Sequence, residues 1–405
     1  MRTAAALLAL LVVTAGCSAP FVSDDAASDA TETANTTTTD TTRTTTTDGT
    51  DGTDAAAYDV PVQNGSLAVD ANRTYARVQS LLGTDVDPRP VEVRNLTERS
   101  GYDPSRYGLF RLLGVGNASF DAERPGGVTT TSGAVYVHPG NGTDAQVEQV
   151  LVHEFVHSTQ FNANMLPWLD ALDQPRLTND LLQTRLALVE GGAVYVTDAY
   201  TEAHLDAPAQ SERIADRYDD GGPAERLFLA RYHVGNRYVA GQIDDPSELE
   251  RVYENYPRTT EQLLHDRTPG EEPAGNLTVT VETADEWRVG ENDTLGELTT
   301  RIVFQGELND TAARGAAAGW GTDEVVGLER GGERAYVWAL RMDDAAEADE
   351  LAAALTAFVE ERADDADAAF AVERVSAETV ALTIGPESLD ASVAGGDGNV
   401  TVTVE

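Results

Sequence analysis

Two of the six histidines of this 405-residue chain stand four positions apart in LVHEFVHSTQ, as His153 and His157, with Glu154 beside the first. Four residues are about one helical turn, so a helix here would project both imidazoles from one face, where they could hold a single metal ion. The glutamate of such an HExxH helix is not a ligand. It takes a proton from an attacking water and passes it to the leaving amine. The competing reading is a core-facing helix whose histidines are simply buried and hydrogen-bonded. With so few histidines, a chance match is on the order of one in a hundred.

Catalytic zinc uses three protein ligands and keeps a fourth position open for water, so the third ligand decides the subclass. The metzincin spacing needs Gly and His three and six residues after His157, where this chain has Gln160 and Ala163. Asp323, in GWGTDEVVG, stands at the wrong offset for an aspartate ligand. What remains is Glu190 in ALVEGGAVYV, followed by Gly191, Gly192 and Ala193, small residues that would let its helix approach the first one closely. Glu190 can also be read as the last residue of a helix before a glycine stop. For stabilising a developing oxyanion the choice falls on Tyr232 in RYHVGNRY, with His233, Tyr238, Tyr195 and Tyr200 as further candidates and a packing role as the alternative for each. His138, His204 and His265 have no spacing that recommends them as ligands.

The elements that must position these groups follow from pattern. Thr143 or Asp144 can cap an amphipathic helix in which Val147, Val150, Leu151, Phe155 and Val156 keep a helical period. A second helix starts near Thr178 and is interrupted or ended around Gly191 and Gly192. Upstream, AVYVH is expected to supply the edge strand along which such sites hold a substrate. The segment from Ala203 to His265 reads as helical. The Pro, Gly and Glu cluster from Thr268 to Gly275 marks a boundary, beyond which strands and helices alternate. The expected fold class is α+β: a core over 58–267 with a mainly helical second half, then an α+β region over 268–405.

HEFVH followed by ALVEGGA resembles the gluzincins, zinc metallopeptidases with a HExxH helix and a downstream glutamate ligand. The resemblance spans about residues 130 to 265 and implies a zincin-like fold, Zn2+ held by His153, His157 and Glu190, and Glu154 as general base. Thermolysin-like members place Asp four residues after the ligand glutamate; this chain has Val194 there, and Asp198 is the nearest acid.

Composition sets the surroundings. The formal net charge is −41, and all 28 basic residues are arginine. Such a surface repels nucleic acid and anionic membranes, and suits a protein kept soluble in high salt, where screening relieves self-repulsion; an ordinary acidic protein from a GC-rich genome is the alternative. Residues 1–17 have the shape of a signal peptide, too short to span a bilayer, ending in TAGC, which resembles a lipobox with Thr14 where a branched apolar residue is usual. That makes Cys17, the one cysteine, a lipidation site; a plainly cleaved signal is the alternative. Residues 18–57 are Thr- and Asp-rich and read as a disordered stalk, and Asn-X-Ser/Thr sequons run from Asn35 to Asn399. With stalk and lipobox the chain resembles haloarchaeal surface lipoproteins. The expected protein is an extracytoplasmic zinc peptidase acting on peptides or proteins, held to the membrane by lipid alone; the alternative is a non-catalytic surface module for binding or envelope structure.

Overall fold

The computed structural model describes residues 58–405 except 100, 171–174, 284–285 and 397. The signal peptide, Cys17 and the stalk lie outside the described residues. The amino-terminal part runs β1 (Val62–Gln63), α1 (Ala71–Leu82), β2 (Val91–Val93), β3 (Gly101–Tyr102), α2 (Gly108–Leu112), β4 (Ala118–Ser119), β5 (Gly126–Thr129) and β6 (Val135–His138). A helical layer follows: α3 (Asp144–Asn162), α4 (Pro167–Asp170), α5 (Asn179–His204), α6 (Gln210–Asp220), α7 (Pro223–Gln242), α8 (Leu249–Glu254) and α9 (Thr260–Leu264). The last part holds β7 (Thr278–Thr283), β8 (Arg288–Asp293), α10 (Gly296–Phe304), α11 (Asp310–Ala317), β9 (Trp320–Arg330), β10 (Glu333–Met342), α12 (Ala345–Arg362) and four strands, β11 (Ala369–Arg374), β12 (Thr379–Gly385), β13 (Ala391–Gly396) and β14 (Asn399–Val404). The fold is mixed α+β. No helix among the described residues is long and apolar enough to cross a membrane.

The first sheet has the order β1-β2-β6-β5, parallel except for the last pair, with Gly127 opposite Val137. The edges are therefore β1 and β5, the GGVT segment, and AVYVH is not an edge but forms the interior strand β6. The two glycines of β5 offer the sheet no side chains, but backbone pairing to β6 needs none.

Helix α3 starts at Thr143, whose hydroxyl accepts from the Gln146 amide while the Gln146 side chain accepts from the Thr143 amide, a complete capping box. Every residue from Val147 to Phe161 is buried, so α3 is a central helix and not the one-sided amphipathic helix its apolar spacing suggests. Polar side chains on such a helix must find partners inside the protein. Thr159 receives the Gln79 amide at 2.7 Å, Ser158 donates to the Gly133 carbonyl at 2.9 Å, and Tyr200 donates to Glu148 at 2.5 Å.

Helix α5 does not stop at its glycines; it continues to His204. A Cβ on Gly191 would lie 2.1 Å from the Gly235 carbonyl carbon, and one on Gly235 would lie 1.9 Å from the Ala187 oxygen. The glycines are the notch where α5 and α7 cross backbone to backbone, and that contact offsets their intrinsic cost in a helix.

The hydrophobic core runs without a break across the Thr268–Gly275 cluster: Leu298, Ile302 and Phe304 of α10, Leu355 and Phe358 of α12 and Trp338 of β10 join the core of the first part. The five-stranded sheet β11-β12-β10-β9-β8 faces these helices on one side, and a second core containing Trp287, Val337, Val400 and Val402 fills the space to the sheet β13-β14-β7 on the other.

Candidate metal centre

His153 and His157 leave α3 on one face, their ring centroids 4.7 Å apart. From the facing helix α5, Glu190 Oε2 lies 3.3 Å from His153 Nε2 and 3.2 Å from His157 Nε2. All three side chains are fully buried, and one ligand atom from each falls within 4.8 Å of the others; this is the metal-ligand cluster found among the described residues. A tetrahedral ion with bonds of about 2.0–2.1 Å separates its ligands by about 3.3–3.4 Å, which the two histidine–glutamate spacings match.

The outer groups fix the chemistry of the rings. Gln160 Oε1 faces His157 Nδ1 at 2.7 Å, and the Gln160 amide is oriented by donating to the Val189 carbonyl at 3.1 Å and to the Tyr253 hydroxyl at 2.6 Å. Gln210 Oε1 faces His153 Nδ1 at 3.0 Å, and the Gln210 backbone amide donates to Asp198 at 2.7 Å, which anchors the start of α6. An amide oxygen opposite each Nδ1 holds the ring proton there and turns the Nε2 lone pairs toward Glu190. Two lone pairs against a buried carboxylate, with Glu190 Oε1 lacking any hydrogen-bond partner, form a donor set that a cation completes. Burial by itself would raise the Glu190 pKa; with no cation present and the rings in the form that donates from Nε2, the hydrogen bonds and charges of His153 and His157 outweigh it and bring Glu190 down to about 2, while burial pushes His153 down, toward the neutral form in which Nε2 is free to bind a cation. Both shifts favour the protonation states that bind metal.

Glu154 packs against β5. Its Oε2 accepts from Thr129 Oγ1 at 2.6 Å, and a Cβ on Gly127 would lie 2.5 Å from its Cγ and Oε1, so Gly127 is the space the carboxylate occupies. Tyr232, on α7, is buried with its ring centroid 6.1 Å from that of His153. Of the other candidates, Tyr195 donates to the Ile243 carbonyl, Tyr238 to the Arg267 carbonyl, and His233 stacks on Tyr218. His265 pairs with Glu297, and His204 packs edge-on to Tyr200.

Asp323 is far from this chemistry in role: it accepts from the Leu295 and Gly296 amides and from both Trp320 and Trp338 indoles, each at 2.9 Å, and so caps α10. Gln160, Gln210 and Asp198 form the outer layer of the candidate site, and spacing did not single them out. Gln210 had no signal at all, since the turn between α5 and α6 brings it to His153 from 57 residues away. A cavity of about 580 Å³ is lined by Asp198, Ala209 and Asn236, and by none of the three ligand residues.

Residues 282–394 match a domain family described as a domain of unknown function (DUF8575), a stretch that begins after every residue of the metal centre. No curated protein and no solved structure matches the chain.

Proposed function

We propose that the protein is a zincin-like, zinc-dependent peptidase, carried outside the cell on a lipid anchor at Cys17, that hydrolyses peptide bonds in peptide or protein substrates. The observation that carries this reading is the combination of three protein ligand atoms with a carboxylate, Glu154, on the ligand helix but outside the ligand set. A structural zinc site closes with four protein ligands and has no use for a neighbouring base.

Zinc held by His153, His157 and Glu190 would polarise a substrate carbonyl and acidify a water at its open position. Gln160 and Gln210 keep both imidazoles neutral and aimed. Glu154, oriented by Thr129, takes the proton of the attacking water and hands it to the leaving amine. Tyr232 is the nearest ring to His153 from α7 and the candidate donor to the oxyanion. Strand β5 presents its outer edge beside Glu154, where an extended peptide can pair with it.

One observation favours the non-catalytic module instead: His153, Glu154, His157 and Glu190 are all fully buried. The two readings part on Glu154→Gln, which keeps side-chain size and ligands but loses the proton acceptor. Casein hydrolysis at high salt is expected to fall by about a hundredfold or more while zinc content and thermal midpoint stay as in the wild type. Zinc-loaded wild type without activity on casein favours the module, and equal activity in both proteins removes Glu154 from the mechanism.

A further inference from the structure

One turn of α7 carries a cation that the fold leaves unanswered. Arg231 is 5% exposed, and its Nε and Nη2 are buried without a hydrogen-bond partner among the described residues. It takes part in none of the ion pairs among them. The chain has 69 acidic residues for 28 arginines, so a carboxylate partner was easy to supply. What surrounds the guanidinium is aromatic: its carbon sits 5.0 Å from the centre of the Phe228 ring, and Tyr102, whose hydroxyl burial pushes up, is near enough for the Arg231 charge to oppose part of that rise. A cation–π contact offsets only a minor part of the cost of burying an unpaired charge. Most of that cost is left for an anion from outside to recover.

The position says which anion. Phe228 touches Tyr232 at 5.8 Å between centroids, and Tyr232 faces His153 at 6.1 Å, so two rings of one helix separate the guanidinium from the metal centre. Phe120 and Tyr102 also pack against Phe228, with centroids 4.7 and 5.4 Å away. A planar fork of donors among aromatic walls matches a carboxylate attached to an apolar segment, held bidentately.

We propose that Arg231 receives a carboxylate of the substrate, making the protein selective for peptides with an acidic group near the scissile bond, either the C-terminal carboxylate or an Asp or Glu side chain. This rests on the peptidase reading above. Bound there, the carboxylate fixes which peptide bond lies at the metal centre.

The test compares N-acetyl dialanine as free acid and as amide, by calorimetry on the zinc-loaded Glu154→Gln protein, which binds without turnover. The acid is expected to bind at least about tenfold tighter than the amide, and Arg231→Gln in that background to erase the difference. A preference that survives Arg231→Gln places the carboxylate on the metal instead and overturns the proposal, as does equal binding of acid and amide. Peptides amidated at the C-terminus, with and without an internal Glu, separate the two sources of the carboxylate by kcat/KM in otherwise wild-type protein. Arg231→Met replaces an uncompensated charge by an apolar side chain of similar length, so its thermal midpoint without ligand is expected to rise; a fall marks the guanidinium as structural and overturns the proposal. Casein cleavage without any acid-over-amide preference sinks the carboxylate site and leaves the peptidase. Acid preference through Arg231 in a protein that cleaves nothing sinks the peptidase and leaves the site.

Discussion

Glu190 shows how much a single side chain here depends on what lies behind its neighbours. Its Oε2 meets two lone pairs because Gln160 and Gln210 hold the ring protons of His157 and His153 on the far side. Removing one of these amides frees the ring to rotate or to change tautomer. Gln210→Ala is therefore expected to lower zinc affinity by about ten- to a hundredfold, read by competition with a chromophoric chelator, without unfolding the protein. Glu190→Gln is expected to weaken the metal more, since a neutral amide is a poorer zinc ligand than a carboxylate. Protein purified without chelator and found by elemental analysis to hold no zinc would remove the metallopeptidase reading altogether.

Between elements, the distance between α3 and α5 is set from the far side of α5. The crossing of α5 and α7 at Gly191 and Gly235 presses α5 into place, and Glu190 is the residue next to that contact. Substituting Gly235 by Ala would drive a methyl group into the Ala187 carbonyl and push the helices apart. The expected cost is about 1–3 kcal/mol or more, seen as a lower thermal midpoint, together with weaker zinc binding although no ligand has changed. Unaltered zinc affinity in a folded Gly235→Ala protein would show that the helix spacing does not control the site. Glu154 is similarly governed by an element with no ligand of its own, since Gly127 and Thr129 of β5 shape and orient it.

Across the molecule, the junction of the helical layer with the carboxy-terminal part is built from buried acids. Asp180 accepts from the Thr260 amide and hydroxyl at 2.8 and 2.5 Å, Glu297 pairs with His265 at 2.9 Å, and Glu261 is buried nearby. Burial raises Asp180 to about 7 and Asp323 to about 6; burial, with Glu297 adding repulsion, raises Glu261 to about 9. Each acid is harder to ionise folded than unfolded, so the folded chain binds more protons between the usual carboxylate range and these values. The stability these groups contribute is complete below about pH 4 and is lost as pH rises through about 6, 7 and 9. At fixed salt the thermal midpoint is expected to fall from pH 5 to pH 9, and Glu261→Gln to flatten the upper part of that decline and raise the midpoint at pH 9. A midpoint that climbs with pH over this range contradicts the assignment. Salt should raise the midpoint at every pH, because screening relieves the repulsion of a −41 surface.

The sequence by itself determined what is local. His153, Glu154 and His157 are readable because helical spacing puts ligands on one face, Thr143 because a cap acts within one turn, and the mixed α+β pattern because periodicity changes along the chain. Glu190 was legible as a ligand candidate by its type and its small neighbours, although those same glycines suggested a helix end. Tertiary structure decided the rest. Gly191 reads as a stop in isolation and is a contact surface only when Gly235 lies against it; the strand pattern around Gly126 and Gly127 says nothing of which strand lies at the edge, which only the pairing of β5 with β6 decides. Asp198 stood out only as the nearest acid at an offset that does not match, and Gln210 and Arg231 carry no sequence signal, because an acid, an amide and a guanidinium acquire their roles from what stands opposite them, and the chain sets those partners by packing and not by spacing.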